Sequence, residues 1–276
     1  MRIFRPRARG GARLVPRSPL DEAVALYVAG RYAAAESAAR DVAAARSWRP
    51  GDPHVPMALS VAAMAMGAQG RHAEAVAAYD AVLPDFARVF GAEGPQTLKL
   101  RSDRAQSTAS LGRHEECERE CAAVVLAATR GAGPEMALVA DAARNGLIFA
   151  LNGQGHHVEA EKAAREALSA QREPDRLGLV LRLGLARSLN GQARHEDALA
   201  EAERAGALRR GLPEEEHRPE TGAVELAVAT ALLGLGRTGE ARLQAATAYD
   251  ACLAAFGPAH RRTEEAQALL DTIDAA

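Results

Sequence analysis

Small apolar residues return along this chain at a fixed distance from a short turn. Five residues past Gly30, Gly70, Gly112, Gly155, Ala193 and Gly236 stand Ala35, Ala75, Cys117, Ala160, Ala198 and Ala241. Nine residues past the same anchors stand Ala39, Tyr79, Cys121, Ala164, Ala202 and Ala245. Positions four apart share one helix face, so each set predicts a helix that turns a small-residue stripe inward. Glycine at the anchor suits the exit of a preceding helix, because it enters the left-handed region without a Cβ clash. First helices are therefore expected over about 19–29, 55–69, 96–111, 136–152, 175–190 and 219–235. Second helices are expected over about 32–46, 72–90, 114–130, 157–171, 195–210 and 238–256. The stretch "RRTEEAQALLDTIDA" from Arg261 predicts a lone helix over 261–275, polar on one side as a cap must be.

The anchors sit in a repeated phrase. "GRHAEAVAAYDAVL" starts at Gly70, "GRHEECERECAAVV" at Gly112 and "GHHVEAEKAAREAL" at Gly155, and the six copies are 38 to 43 residues apart. That regularity marks a stacked-repeat architecture. The units fall at about 19–50, 51–92, 93–132, 133–173, 174–212 and 213–258, with residues 1–18 expected to be a disordered basic arm. A column of alanines lets two helices approach closely, and overfilling it costs roughly 1–3 kcal/mol. Ala160→Leu is thus expected to harm stability more than a change at Glu161, which the pattern leaves exposed.

The Gly-Arg-His-x-Glu-Ala turn followed by small residues resembles the tetratricopeptide repeat (TPR). Units of about 42 residues resemble the kinesin-light-chain type, as do the loops "FGAEGPQTLKLR" (90–101), "EHRPETGAV" (216–224) and "FGPAHRRTEEA" (256–266). That type carries roughly G-x-x-H-P-x-T; here Gly94 stands in place of the histidine in one copy and Arg261 in place of the proline in another. The resemblance covers residues 19–276. It implies an all-α, right-handed superhelical α-solenoid of about six helix-turn-helix repeats plus a C-terminal capping helix, with the first helices lining a concave face. It further implies a non-catalytic interaction scaffold that binds a peptide or protein segment in that groove. HEAT-like solenoids share the period but are not expected to repeat this turn.

Composition narrows the partner. A net charge of −2 argues against a general nucleic-acid binder, and no run approaches 18 apolar residues, so no membrane span is expected. Three cysteines make no disulfide framework and fit a reducing, cytoplasmic setting. A monomer or weak homo-oligomer without cofactor is expected. Six arginines precede the first acid, Asp21, so the arm could remain a disordered tail or tether weakly to an acidic partner or anionic lipid.

Candidate chemistry is sparse. His114, Cys117 and Cys121 share a helix face and could suit zinc, but the equivalent columns His72/Ala75/Tyr79, His157/Ala160/Ala164 and His195/Ala198/Ala202 mark packing. The histidine column, with Tyr32 in the first unit, calls for a flat ring between helices. Phosphate-loop, nucleophile-elbow and H-E-x-x-H motifs are absent, so no enzyme is expected.

Binding candidates line the first helices. Asn145, Phe149 and Asn152 fall on one stripe, matched by Ser102, Gln106 and Ala109, by Leu183, Arg187 and Asn190, and by Leu226, Thr230 and Leu233. By the resemblance, Asn145 would hydrogen-bond the backbone of an extended peptide. Arg101, Arg144 and Arg182 precede the stripe and, with Lys99, Arg104 and Arg187, either form a basic strip for an acidic partner or pair with acids such as Asp103 and Asp141. The expected groove is Lys99, Ser102, Gln106, Arg144, Asn145, Phe149, Asn152, Arg187 and Asn190. Phe149 is either an exposed anchor or inter-repeat packing. Two other roles fit the same sequence: a sensor module that binds a small molecule or short signalling peptide and shifts solenoid curvature, and self-association through edge helices.

Overall fold

A computed structural model describes residues 18–45, 52–171 and 174–275. The basic arm, apart from Ser18, lies outside the described residues, as does the expected boundary at 50/51. The described residues form six helix hairpins: α1 (Pro19–Val28) with α2 (Tyr32–Ala44), α3 (His54–Ala68) with α4 (His72–Phe90), and α5 (Pro95–Ala109) with α6 (His114–Arg130). They continue with α7 (Pro134–Gly153) and α8 (His157–Ala170), then α9 (Arg176–Gly191) and α10 (His195–Gly211). A single turn α11 (Glu214–His217) precedes α12 (Ala223–Gly234), α13 (Thr238–Phe256) and the final α14 (Arg261–Asp274).

Every hairpin turns the same way for one reason. All six anchors have positive φ, from 72° to 80° at the glycines and 57° at Ala193. In each, the anchor N–H donates to the carbonyl three residues back and the next N–H to the carbonyl five back, as in Gly70 to Gly67 and Arg71 to Met66, both 3.0 Å. This double closure satisfies the orphan carbonyls of the first helix and aims the second helix back along it.

The small-residue columns are the seam. Ala35, Ala75, Cys117, Ala160, Ala198 and Ala241 are all fully buried, and so are their partners four residues on, Tyr79 retaining 2% exposure. The histidines cross to the following unit. A Cβ built on Gly153, Gly191 or Gly234 would stand 2.3–2.4 Å from a ring atom of His114, His157 or His195. Each imidazole therefore lies flat over a helix that has been stripped of its side chain there, which is the packing role the column suggested.

Two expectations need correction. The sixth first helix does not begin near 219: residues Arg218–Glu220 form a 3-10 turn and Gly222, at φ 74°, breaks the chain before Ala223. Pro219 supplies no N–H to extend a helix, and Cys252 packs so tightly on Gly222 that a Cβ would meet its sulfur at 2.3 Å. Glu161 is not exposed either. Its carboxylate, 13% exposed, accepts from Arg165, Gln192 and Arg194 at 2.8–2.9 Å.

That last contact belongs to a recurring lock. Gln69 donates to Glu36 at 2.9 Å, Gln154 to Glu118 at 2.6 Å and Gln192 to Glu161 at 2.8 Å, each joining one unit's turn to the preceding unit's second helix. At two other junctions apolar pairs stand at the same places, Val76 with Leu111 and Leu199 with Leu235.

Candidate functional site

The first helices do bring candidate residues together, around one ring. The Arg187 guanidinium of α9 lies 5.6 Å from the centroid of Phe149 in α7, and Arg261 of α14 lies 5.2 Å from it. The His114 ring approaches Phe149 edge-on at 6.0 Å. Glu265 reaches Arg187 at 3.8 Å and pairs with Arg261 one turn before it. An aromatic face thus meets two cations, a favourable arrangement, and one carboxylate offsets their mutual repulsion. Burial presses the Arg261 pKa down; Glu265 opposes that, and Arg187 and Arg262 add to it.

The other expected residues divide. Asn145 is half-buried, and among the described residues none hydrogen-bonds its amide. Gln106, half-buried, reaches only Ser102 at 3.3 Å. Ser102 is fully buried and Asn152 is 7% exposed, so neither lines a groove. Asn152 is spent on structure: its Nδ2 donates to the Gly184 carbonyl at 3.1 Å and its Oδ1 meets His157 Nδ1 at 3.1 Å. Asn190 meets His195 Nδ1 at 3.2 Å in the same manner. Ser102 and Asn152 lie deeper than expected because a helix stripe fixes which residues share a face, not how deep the neighbouring helix lies.

The basic strip is neutralised within the chain. Lys99 pairs with Asp103, Arg101 with Glu120 at 2.5 Å, Arg104 with Asp80 at 2.5 Å and Glu116 at 3.1 Å, Arg144 with Asp141 at 2.6 Å, and Arg182 with Glu201 at 2.8 Å. Of the two alternatives for these cations, pairing prevails.

Cys117 and Cys121 lie 3.8 Å apart and pack with Ala105, Ala109 and Ala150. The neighbouring thiol and burial push Cys121 far up, away from the thiolate a metal would need. Among the described residues no group of three or more His, Cys, Asp or Glu is placed to hold a metal, and no helix is long and apolar enough to cross a membrane.

Sequence reasoning missed what crosses the concave side. Arg218, in the loop before α12, reaches the first hairpin: its Nη1 lies 3.5 Å from the Val28 carbonyl, and a Cβ on Gly30 would stand 2.8 Å from its Cδ. His260, just before α14, rests on the second hairpin, with its Cδ2 3.6 Å from where a Gly70 Cβ would be. Between these points Glu220 holds Arg176 at 2.7 Å and Arg262 at 3.4 Å. Burial alone would raise the Glu220 pKa, but Arg176 and Arg262 outweigh it and hold the carboxyl below the usual range. Tyr27 is pushed up to about 12, chiefly by burial and then by the charge of Asp103.

This geometry has known counterparts. The chain matches the nearly identical TPR-like repeats of a kinesin light chain from Podosopora anserina at 20% identity, covering 71% of this chain and 95% of that one, with a TM-score of 0.54. The fold is a TPR-type solenoid. A variant of the same Podosopora protein matches at 20% identity over 71% and 94% of the two chains, TM-score 0.55. A TPR protein from Parabacteroides merdae matches at 14% identity over 93% and 97%, TM-score 0.49. No protein-family profile matches the chain, and no curated protein matches it.

Proposed function

We propose that this TPR-type solenoid is a non-catalytic interaction scaffold that holds a peptide or protein segment on its concave side. The observation that supports the reading best is the set Asn145, Phe149 and Arg187. A free amide, an aromatic face and a guanidinium stand on adjoining first helices, the three groups that would take a backbone amide, a cation or apolar side chain, and a carboxylate respectively. Gln106 and the paired cations Lys99 and Arg144 flank them. Because those cations already hold acids, the partner we infer is of mixed charge and not uniformly acidic. The unpaired cysteines fit a reducing compartment, and we take the cytoplasm as the setting.

The test is affinity capture with wild-type protein beside an Asn145→Ala, Arg187→Glu variant. A specific partner retained by the first and lost by the second, at equal helicity by circular dichroism, supports the trough. Equal capture by both removes it.

A further inference from the structure

The residues that Arg218, His260 and Arg261 touch lie far apart in sequence but on one side of the solenoid. Arg218 touches the first hairpin, His260 the second, and Arg261 the ring of Phe149 in the fourth. The Arg261 charge also adds to what burial does in lowering His72 and His114. The consecutive residues His260 and Arg261 therefore stand between the second and fourth units on that side. They fill the position where the trough residues Phe149 and Arg187 would meet a partner.

What holds it there differs from what holds the hairpins to one another. The buried apolar clusters each join neighbouring units: one runs from Leu20 to Leu100, another from Ile148 to Ala231, and a third packs Ile273 of α14 on Ala229 and Leu232. None of them bridges the first two units and α14. The contacts that reach the first, second and fourth units are instead a marginal hydrogen bond from Arg218, the seat of His260 on Gly70, the Arg261–Phe149 contact and the partly exposed Arg187–Glu265 pair, each of small individual strength. Separating the first two units from α14 thus breaks no apolar cluster.

We propose that the Phe149–Arg187 site is held shut by the chain's own α14, and that it admits a helical partner segment carrying the same signature by opening of the solenoid. That signature is a guanidinium followed one helical turn later by a carboxylate, as Arg261 and Glu265 present it: the cation covers the Phe149 ring and the carboxylate meets Arg187. The proposal rests on the concave-trough reading above and adds to it a resident competitor and a recognition pattern. Since only open molecules bind, apparent affinity is the intrinsic affinity reduced by the open fraction.

The probe is a fluorescent peptide of residues 261–274, "RRTEEAQALLDTID", followed by polarisation. One protein carries Gly70→Cys with His260→Cys. A Cβ at Gly70 lies 3.7 Å from the His260 Cα, within reach of a disulfide, and the native cysteines are buried. The oxidised form should bind the peptide at least about tenfold more weakly than the same protein after reduction. A second protein, Arg261→Ala with Glu265→Ala, keeps Phe149 and Arg187 but releases the competitor. It should bind about tenfold more tightly than wild type and show a larger radius of gyration by X-ray scattering, a gain that Phe149→Ala in the same background removes.

Equal affinity of oxidised and reduced forms overturns the proposal, and so does absence of peptide binding to the released variant. Tighter binding at an unchanged radius of gyration overturns the opening step and with it the proposal. If the cysteine pair does not fold, wild type against the released variant decides alone. Partner capture that depends on Asn145 and Arg187 while the lock has no effect leaves the trough standing and removes only the latch.

Discussion

His157 Nδ1 lies 3.1 Å from Asn152 Oδ1, and the same asparagine donates to the Gly184 carbonyl of the next unit at 3.1 Å. One side chain thereby fixes the ring that fills the seam and ties two hairpins together. His195 has the same partner in Asn190, whereas Gly67 and Ala109 stand at the matching positions before His72 and His114, whose Nδ1 atoms are buried without a partner.

Removing that asparagine leaves His157 Nδ1 without its partner and cuts a bond between two hairpins, although the Gly184 carbonyl still accepts from Ser188 Oγ at 2.9 Å. Asn152→Ala should lower stability by about 1–3 kcal/mol, while Asn145→Ala, whose amide has no hydrogen-bond partner among the described residues, should stay within about 0.5 kcal/mol of wild type. Urea unfolding of the two variants separates a structural asparagine from a binding one. Equal losses would mean the two had been assigned wrongly.

The turn anchors permit a cleaner test of backbone conformation. Ala193, at φ 57°, is the one non-glycine residue with positive φ among those described, and Ala193→Gly should stabilise by about 1 kcal/mol. Nothing lies within 4 Å of a Cβ built on Gly112, at φ 79°, so Gly112→Ala changes conformational preference without a clash. It should destabilise by a similar ~1 kcal/mol. Melting temperatures moving in opposite directions would bear out the left-handed anchors; a shift of one sign for both would not.

The anchors and the alanine columns could be read before any coordinates because both obey the repeat period. Position within the unit was enough to place Ala160 or Cys121 in the seam. Depth and closure were not readable in that way. Glu161 looked exposed by helical phase, yet the Gln192 and Arg194 of the following turn fold over it. The charges at Arg101 and Arg104 could be read from sequence as free or as paired, and acids on adjacent helices decide between the two. Arg218 and Val28 are 190 residues apart, and no local pattern announces a contact made by the curvature of the whole stack.

The seam itself can be overfilled. Ala160 is fully buried, so Ala160→Leu should cost about 1–3 kcal/mol. The proper control is Glu166→Ala, an exposed position on the same helix, because Glu161 carries inter-unit hydrogen bonds of its own. Calorimetry in which both variants melt together would remove the alanine column as the stacking surface.

Acid should loosen the closure through His260. Its ring stacks on Phe256 at 4.4 Å and lies against Gly70, where burial, then Arg262, Arg261 and His72, lower its pKa to about 4. A base whose folded pKa is depressed binds fewer protons folded than unfolded between about 6.5 and 4. Stability is therefore lost as pH falls through that window, by roughly 1–2 kcal/mol from this group once solvent screening of its partly exposed ring is counted. His72 and His114 are lowered as well and act with the same sign. His260→Asn keeps an acceptor for the Arg262 N–H, which now reaches His260 Nδ1 at 3.2 Å, but takes no proton. Its unfolding midpoint should fall less steeply than that of wild type between pH 6.5 and 4.5, and parallel curves would show that His260 does not sense acid from its seat on the second hairpin.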